Sequence, residues 1–86
     1  MHINKKEILD NICYTELVYE RINKKLNSRF SKPQIEQLLF KIIEQEKEAS
    51  FLRIGKNIYV SSPENNIRIT INSNTFRIIT VDRIST

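Results

Sequence analysis

In 86 residues the chain has one cysteine, one histidine, one glycine, two prolines and no tryptophan. The lone Cys13 excludes an internal disulfide and an all-cysteine zinc site, and it fits a reducing compartment. The lone His2 stands next to Met1, so neither a histidine-based dyad or triad nor a transition-metal site is expected. A single glycine leaves no phosphate-cradling glycine loop. No apolar run approaches the roughly 18–20 residues of a membrane span, and the N-terminus lacks the apolar core of a signal peptide. The expectation is a cytoplasmic protein with no metal, no cofactor and no membrane partner. Internal repeats, low-complexity tracts and linkers are also missing.

These absences weigh against catalysis. A chain of this length forms one domain, residues 1–86, and buries only about 60–65% of its unfolded surface. That is one core without a deep, two-walled cleft. Cys13 has no sequence-local base and reads as a small, half-buried packing residue, with a reactive thiol as the alternative. Glu16, Glu20, Glu36 and Glu44 fall at polar helical positions and read as solvated surface. The protein is therefore expected not to be an enzyme.

Hydrophobic residues make up 40% and charged residues 28%, which favours folding over disorder. The chain divides by pattern into a helical half, residues 4–48, and a strand half, residues 51–84. Asn4 and Glu7 suit the start of a short helix with Ile8, Leu9 and Ile12. Tyr14, Leu17, Val18, Ile22 and Leu26 make one apolar stripe. Either Thr15 caps a fresh helix or one helix runs through from residue 4. Ser31, Pro33 and Gln34 then spell a capping box with proline in the first turn. The stripe Ile35, Leu38, Leu39, Ile42 and Ile43 predicts a helix running to about Lys47.

In the second half, Phe51–Ile54 and Ile58–Val60 flank Gly55-Lys56-Asn57, which reads as a three-residue hairpin loop. That register pairs Ile54 with Ile58 and Leu52 with Val60. Ile67, Ile69 and Ile71 alternate with Arg68 and Thr70, the clearest period of two in the chain. A two-residue turn at Ser73-Asn74 pairs Ile71 with Phe76, Ile69 with Ile78 and Thr70 with Arg77. The adjacent Ile78-Ile79 predicts either a bulge or a strand covered on both faces. The fold class is α+β: two to three N-terminal helices packed on one face of a four-stranded antiparallel meander.

Three stretches resemble a known family. They are Asn11-Ile-Cys-Tyr-Thr-Glu-Leu-Val-Tyr-Glu-Arg-Ile22, Gly55-Lys-Asn-Ile-Tyr-Val60 and Ile69-Thr-Ile-Asn-Ser-Asn-Thr-Phe-Arg-Ile-Ile-Thr-Val81. Together they resemble the family catalogued as domain of unknown function 3781, over about residues 11 to 84. The resemblance implies a free-standing bacterial or phage-borne domain, and it transfers no mechanism and no site residues. The A/T-rich codons of the abundant Ile, Asn and Lys agree with such a source.

Two surfaces draw attention. The net charge is +4. Arg21, Lys24, Lys25, Arg29 and Lys32 form a basic segment with no acidic residue between them. It reads either as a solvated helix end suited to the helix dipole or as a patch for phosphates or an acidic surface. A helix-turn-helix reading is disfavoured, because the helix after Ser31 exposes Glu36 and Glu44 and its connecting loop lacks a glycine turn. The second surface is the sheet face away from the helices, where the expected register puts Phe51, Arg53, Tyr59, Arg68, Thr70, Arg77 and Ile79. Arginine with aromatics suits protein hot spots and also base-stacking sheets. An ordinary open sheet face, with arginine stems covering apolar surface, is the plainer reading.

Two functions follow as expectations. The first is a non-enzymatic protein-interaction module, such as an inhibitor or adaptor acting on a larger bacterial protein or nucleoprotein complex, for example a phage-defence assembly. A homodimer through the same face is part of that reading. The alternative is a nucleic-acid-binding regulator that uses the basic segment and the sheet-face arginines.

Overall fold

The computed structural model describes residues 3–84, so His2 lies outside the described residues. Three helices precede a four-stranded sheet. Asn4 opens α1 (Lys5–Asn11), its Oδ1 accepting from the Glu7 backbone N–H at 3.1 Å. The chain then leaves helical geometry, and α2 (Glu16–Leu26) starts afresh after Thr15, whose side chain makes no capping bond. The break has a tertiary cause. Cys13 N–H donates to the Phe76 carbonyl at 3.1 Å, and the Cys13 carbonyl accepts from Ile78 N–H at 2.9 Å. One parallel bridge, Cys13 to Arg77, thus takes backbone groups that a continuous helix would have used internally.

Asn27 closes α2 in the left-handed region at φ 53°, which asparagine tolerates. Ser31 and Gln34 form the expected capping box of α3 (Lys32–Gln45): Ser31 Oγ accepts from Gln34 N–H, and Gln34 Oε1 accepts from Ser31 N–H at 2.8 Å. The helix ends at Gln45, before the expected Lys47. Glu46 is already extended, and its carbonyl accepts from Lys5 Nζ at 2.9 Å. A lysine from α1 thus satisfies the carbonyl just past the end of α3.

The sheet is an antiparallel meander in the order β1 (Phe51–Ile54), β2 (Asn57–Ser62), β3 (Ile67–Asn72), β4 (Ile78–Arg83). The architecture is the expected α+β arrangement, but both hairpin registers differ from expectation. In the first hairpin Ile54 faces Asn57, Arg53 faces Ile58, Leu52 faces Tyr59 and Phe51 faces Val60. The loop is two residues, Gly55-Lys56, with Gly55 at φ +58°. Glycine at the first of two loop positions is the demand of a type II′ hairpin, whose twist suits the strands. Because side chains alternate, the one-residue slip moves all of β1 to the opposite face.

In the second hairpin the connection is residues 73–77, and Ile71 faces Ile78 while Ile69 faces Val81. Asn72 accounts for the longer loop. Its Oδ1 accepts from both Asn74 N–H and Thr75 N–H, at 2.8 and 2.9 Å. Phe76 closes the loop at φ +59°, a strained conformation for a bulky residue. Its carbonyl holds Cys13, and its ring packs against the core. Thr70 faces Thr80, so Ile79 is the extra residue of a bulge, one of the two expected alternatives.

The helices cover one face only. Ile8, Val18, Ile22, Ile35, Leu39, Ile42 and Ile43 meet Phe51, Ile58, Val60, Ile67, Ile69, Ile71, Ile78 and Val81 in one buried cluster. Full burial of such a side chain is worth about 1.5–3 kcal/mol. Leu17 departs from the stripe it was assigned to: it is 72% exposed, on the solvent side of α2.

Candidate functional site

The uncovered sheet face is built in rows. Leu52, Tyr59, Thr70 and Thr80 stand side by side across all four strands. Next to them run Ser61, Arg68 and Asp82 on one side, and Ile54, Asn57 and Asn72 on the other. Leu52 and Ile54 are 58% and 59% exposed. The Arg68 guanidinium lies 5.9 Å from the Tyr59 ring centroid, a cation–π distance.

Of the residues expected here, the fold brings together Tyr59, Arg68 and Thr70, the last of them buried. It moves the others. Phe51 points into the core at 6% exposure, because it faces Val60 rather than standing on the outer face. Arg53 shares Phe51's side and lies beside α1, in a depression with Asn4, Glu7 and Ile8, where its Nε donates to the Gly55 carbonyl at 3.3 Å. Arg77 precedes β4 and bridges to Cys13. Ile79 is the half-buried bulge residue. Leu52 and Ile54 were missed, since an apolar residue in an alternating strand is assigned inward by default. The signal that finds them is Gly55 as first residue of a two-residue loop.

The basic segment does not form one patch. Lys25 Nζ is 3.0 Å from Asp82, and Arg21 donates to the Ile79 carbonyl at 3.2 Å, both next to β4. Lys32 pairs with Glu16 at 2.7 Å, at the start of α2 and so about 13 Å along the helix axis from Lys25. Lys24 and Arg29 are exposed.

Lys32 belongs to a cluster at the joint of α2 and α3. Its Nζ lies 5.3 Å from the Tyr19 ring, which stacks on Tyr14 with centroids 5.3 Å apart. Tyr19 Oη donates to Glu36 Oε2 at 2.8 Å. Desolvation, the bond to Glu36 and the charges of Glu36 and Glu16 push the Tyr19 phenol up to about 12. Burial, then Glu36 and Tyr19, push Tyr14 up as well. Both phenols stay protonated, which suits Tyr19 to donating a hydrogen bond across the joint rather than to accepting a substrate proton.

Cys13, expected half-buried, is exposed, with Sγ 3.7 Å from the Thr75 carbonyl. The bridge to Arg77 holds its backbone at the sheet edge while the side chain stays outside. Among the described residues, no three His, Cys, Asp or Glu side chains gather as a metal-ligand set, and no helix is long and apolar enough to cross a membrane.

No curated protein and no solved structure matches the chain. The model of one family does, over residues 6–82, nearly the whole chain: this protein belongs to the DUF3781 family, described as proteins of unknown function.

Proposed function

We propose that the protein is a non-enzymatic interaction module that engages a protein partner through its open sheet face. The observation that carries this is the placement of Leu52 and Ile54, both more than half exposed, beside the Tyr59–Arg68 pair on the face no helix covers. Tyr59 and Arg68 are residue types enriched at interface hot spots, and the exposed Leu52 and Ile54 beside them supply apolar area whose removal from water favours association. In this reading the protein is a small inhibitor or adaptor, acting in the cytoplasm on a larger bacterial assembly such as a phage-defence complex. A second copy of the chain is the other candidate for the same face.

The test is affinity capture from the source cell, with and without nuclease, using wild type and a Leu52→Asp/Ile54→Asp double variant. A nuclease-resistant partner kept by wild type and lost by the variant supports the proposal. A variant that keeps every partner overturns it. Sedimentation equilibrium of the purified protein tests the homodimer.

Nucleic-acid binding is the second reading, favoured by the exposure of Lys24 and Arg29. It is the weaker one, because Lys25 and Lys32 are neutralised by Asp82 and Glu16 of the chain itself, and Lys32 lies at the far end of α2 from Lys25. Counterion release predicts a steep loss of affinity between about 50 and 200 mM salt. Absence of DNA or RNA binding at low salt removes this reading.

A further inference from the structure

The exposed Leu17 does not belong to the sheet face. Leu17, Glu20, Arg21, Lys24 and Lys25 recur at i, i+3, i+4, i+7 and i+8 on α2 and border an open groove of about 760 Å³. A depression of about 220 Å³ adjoins it, sharing Leu17 and Arg21 and reaching Arg77, Ile78 and Ile79 at the start of β4. Leu17 is the most exposed of the large apolar side chains among the described residues. Its surroundings are cationic: Arg21, Lys24, Lys25 and Arg77 against Glu20 and, on Lys25, Asp82. Arg21 is anchored through one donor to the Ile79 carbonyl, and a guanidinium has five, so it keeps others for a ligand.

An apolar centre inside a basic rim selects its occupant. A nucleic-acid backbone needs a continuous track of cations, and its bases need aromatic faces to stack on. Here the middle of the site is aliphatic and no aromatic side chain lines it. A lone anion would find charge but nothing for Leu17 to cover. A segment with one aliphatic side chain between carboxylates satisfies both parts.

We propose that the outer face of α2 at Leu17, together with the depression that leads from it to the start of β4, docks an acidic, amphipathic peptide segment of a partner protein. Its aliphatic side chain covers Leu17 and Ile79, and its carboxylates meet Arg21, Lys24 and Arg77. This site is separate from the sheet face and stands whether or not that face binds anything.

The probe is a random library of short peptides displayed on phage and panned on the full chain. The enriched sequences should hold an aliphatic residue flanked by Asp or Glu. A synthetic peptide of that consensus should lose at least about tenfold in affinity to Leu17→Asp and to Lys24→Glu/Arg77→Glu. It should bind the Leu52→Asp/Ile54→Asp protein as it binds wild type. Leu17→Ser and Lys24→Gln, milder changes at exposed positions, should weaken binding in the same order, and circular dichroism confirms that each variant is folded. The proposal is overturned by no enrichment, by enrichment of sequences without carboxylates, or by binding insensitive to Leu17 and Lys24. It is also overturned if an oligothymidylate occupies the groove more tightly than the peptide.

Discussion

Asn23 grips the backbone of Phe30 at both ends: its Oδ1 accepts from Phe30 N–H at 3.0 Å and its Nδ2 donates to the Phe30 carbonyl at 3.0 Å. Ser28 Oγ donates to the same Oδ1 at 2.9 Å. One side chain of α2 thereby fixes the loop that leads into α3. Asn23→Ala is expected to lower stability by about 1–2 kcal/mol, because several hydrogen bonds vanish and water replaces them only in part. Asn23→Asp keeps the acceptor, loses the donor, and should fall between. Urea denaturation midpoints at unchanged m-value check both.

Alkaline pH should loosen the α2–α3 joint. The folded-state Tyr19 value of about 12 lies above the ordinary 10.0. A raised value means that the folded state holds the phenolic proton more tightly than the unfolded state does. The stability Tyr19 contributes is thus complete below about pH 10 and is lost as pH rises through about 12. Tyr14 shifts in the same direction and adds to the loss. Denaturant midpoints measured from pH 8 upward should fall over that window, and Tyr19→Phe should flatten the fall. An equally steep fall in Tyr19→Phe would contradict the assignment.

Gly55 tests the first hairpin. Nothing lies within 4 Å of a Cβ built there, so a substitution meets only backbone strain at φ +58°. Gly55→Ala should cost about 1–2 kcal/mol, and Gly55→Asn about as much, since the first position of a type II′ turn lies outside the left-handed helical well that asparagine tolerates. Gly55→Val should cost the most. Thermal midpoints rank the three.

Ile69 sits on a central strand at 0% exposure, between Val60 and Val81. Ile69→Ala should cost about 2–5 kcal/mol through the lost burial and the cavity left behind. Leu52→Ala, on the exposed edge of the same sheet, should change stability by less than about 0.5 kcal/mol. The contrast separates core from contact surface, and chemical denaturation of both variants measures it.

The starts of α1 and α3 were legible because their signals are local, whereas the start of α2 was left open between two readings. Asn4 and Ser31 each cap through an atom three residues away, and the isoleucines at 67, 69 and 71 alternate whatever they pair with. The hairpin registers were not legible. Ile58 and Val60 face the core in either pairing of the first hairpin, so β2 could not discriminate. The four residues of β1 include three apolar ones, and either Phe51 or the pair Leu52 and Ile54 had to end outside. At the candidate site, Tyr59 and Arg68 were placed correctly because they lie on strands with a firm period of two. Phe51, Arg53 and Arg77 were misplaced because their positions hang on the two loops.

Composition, capping and periodicity by themselves determined an α+β chain with helices first, a meander after them, and little material for metal or histidine chemistry. Those properties depend on residues near one another in the chain. Only the tertiary structure decided where α1 ends, which face β1 shows, and that Leu17 stands outside among cations. The first rests on a partner distant in sequence and the second on a turn one residue shorter than expected. Cys13 bonds across to Phe76 and Ile78, and Gly55 takes the left-handed turn that sends Phe51 inward. In a strand, a single-residue step exchanges the two faces, so a small change in a loop redraws the whole contact surface.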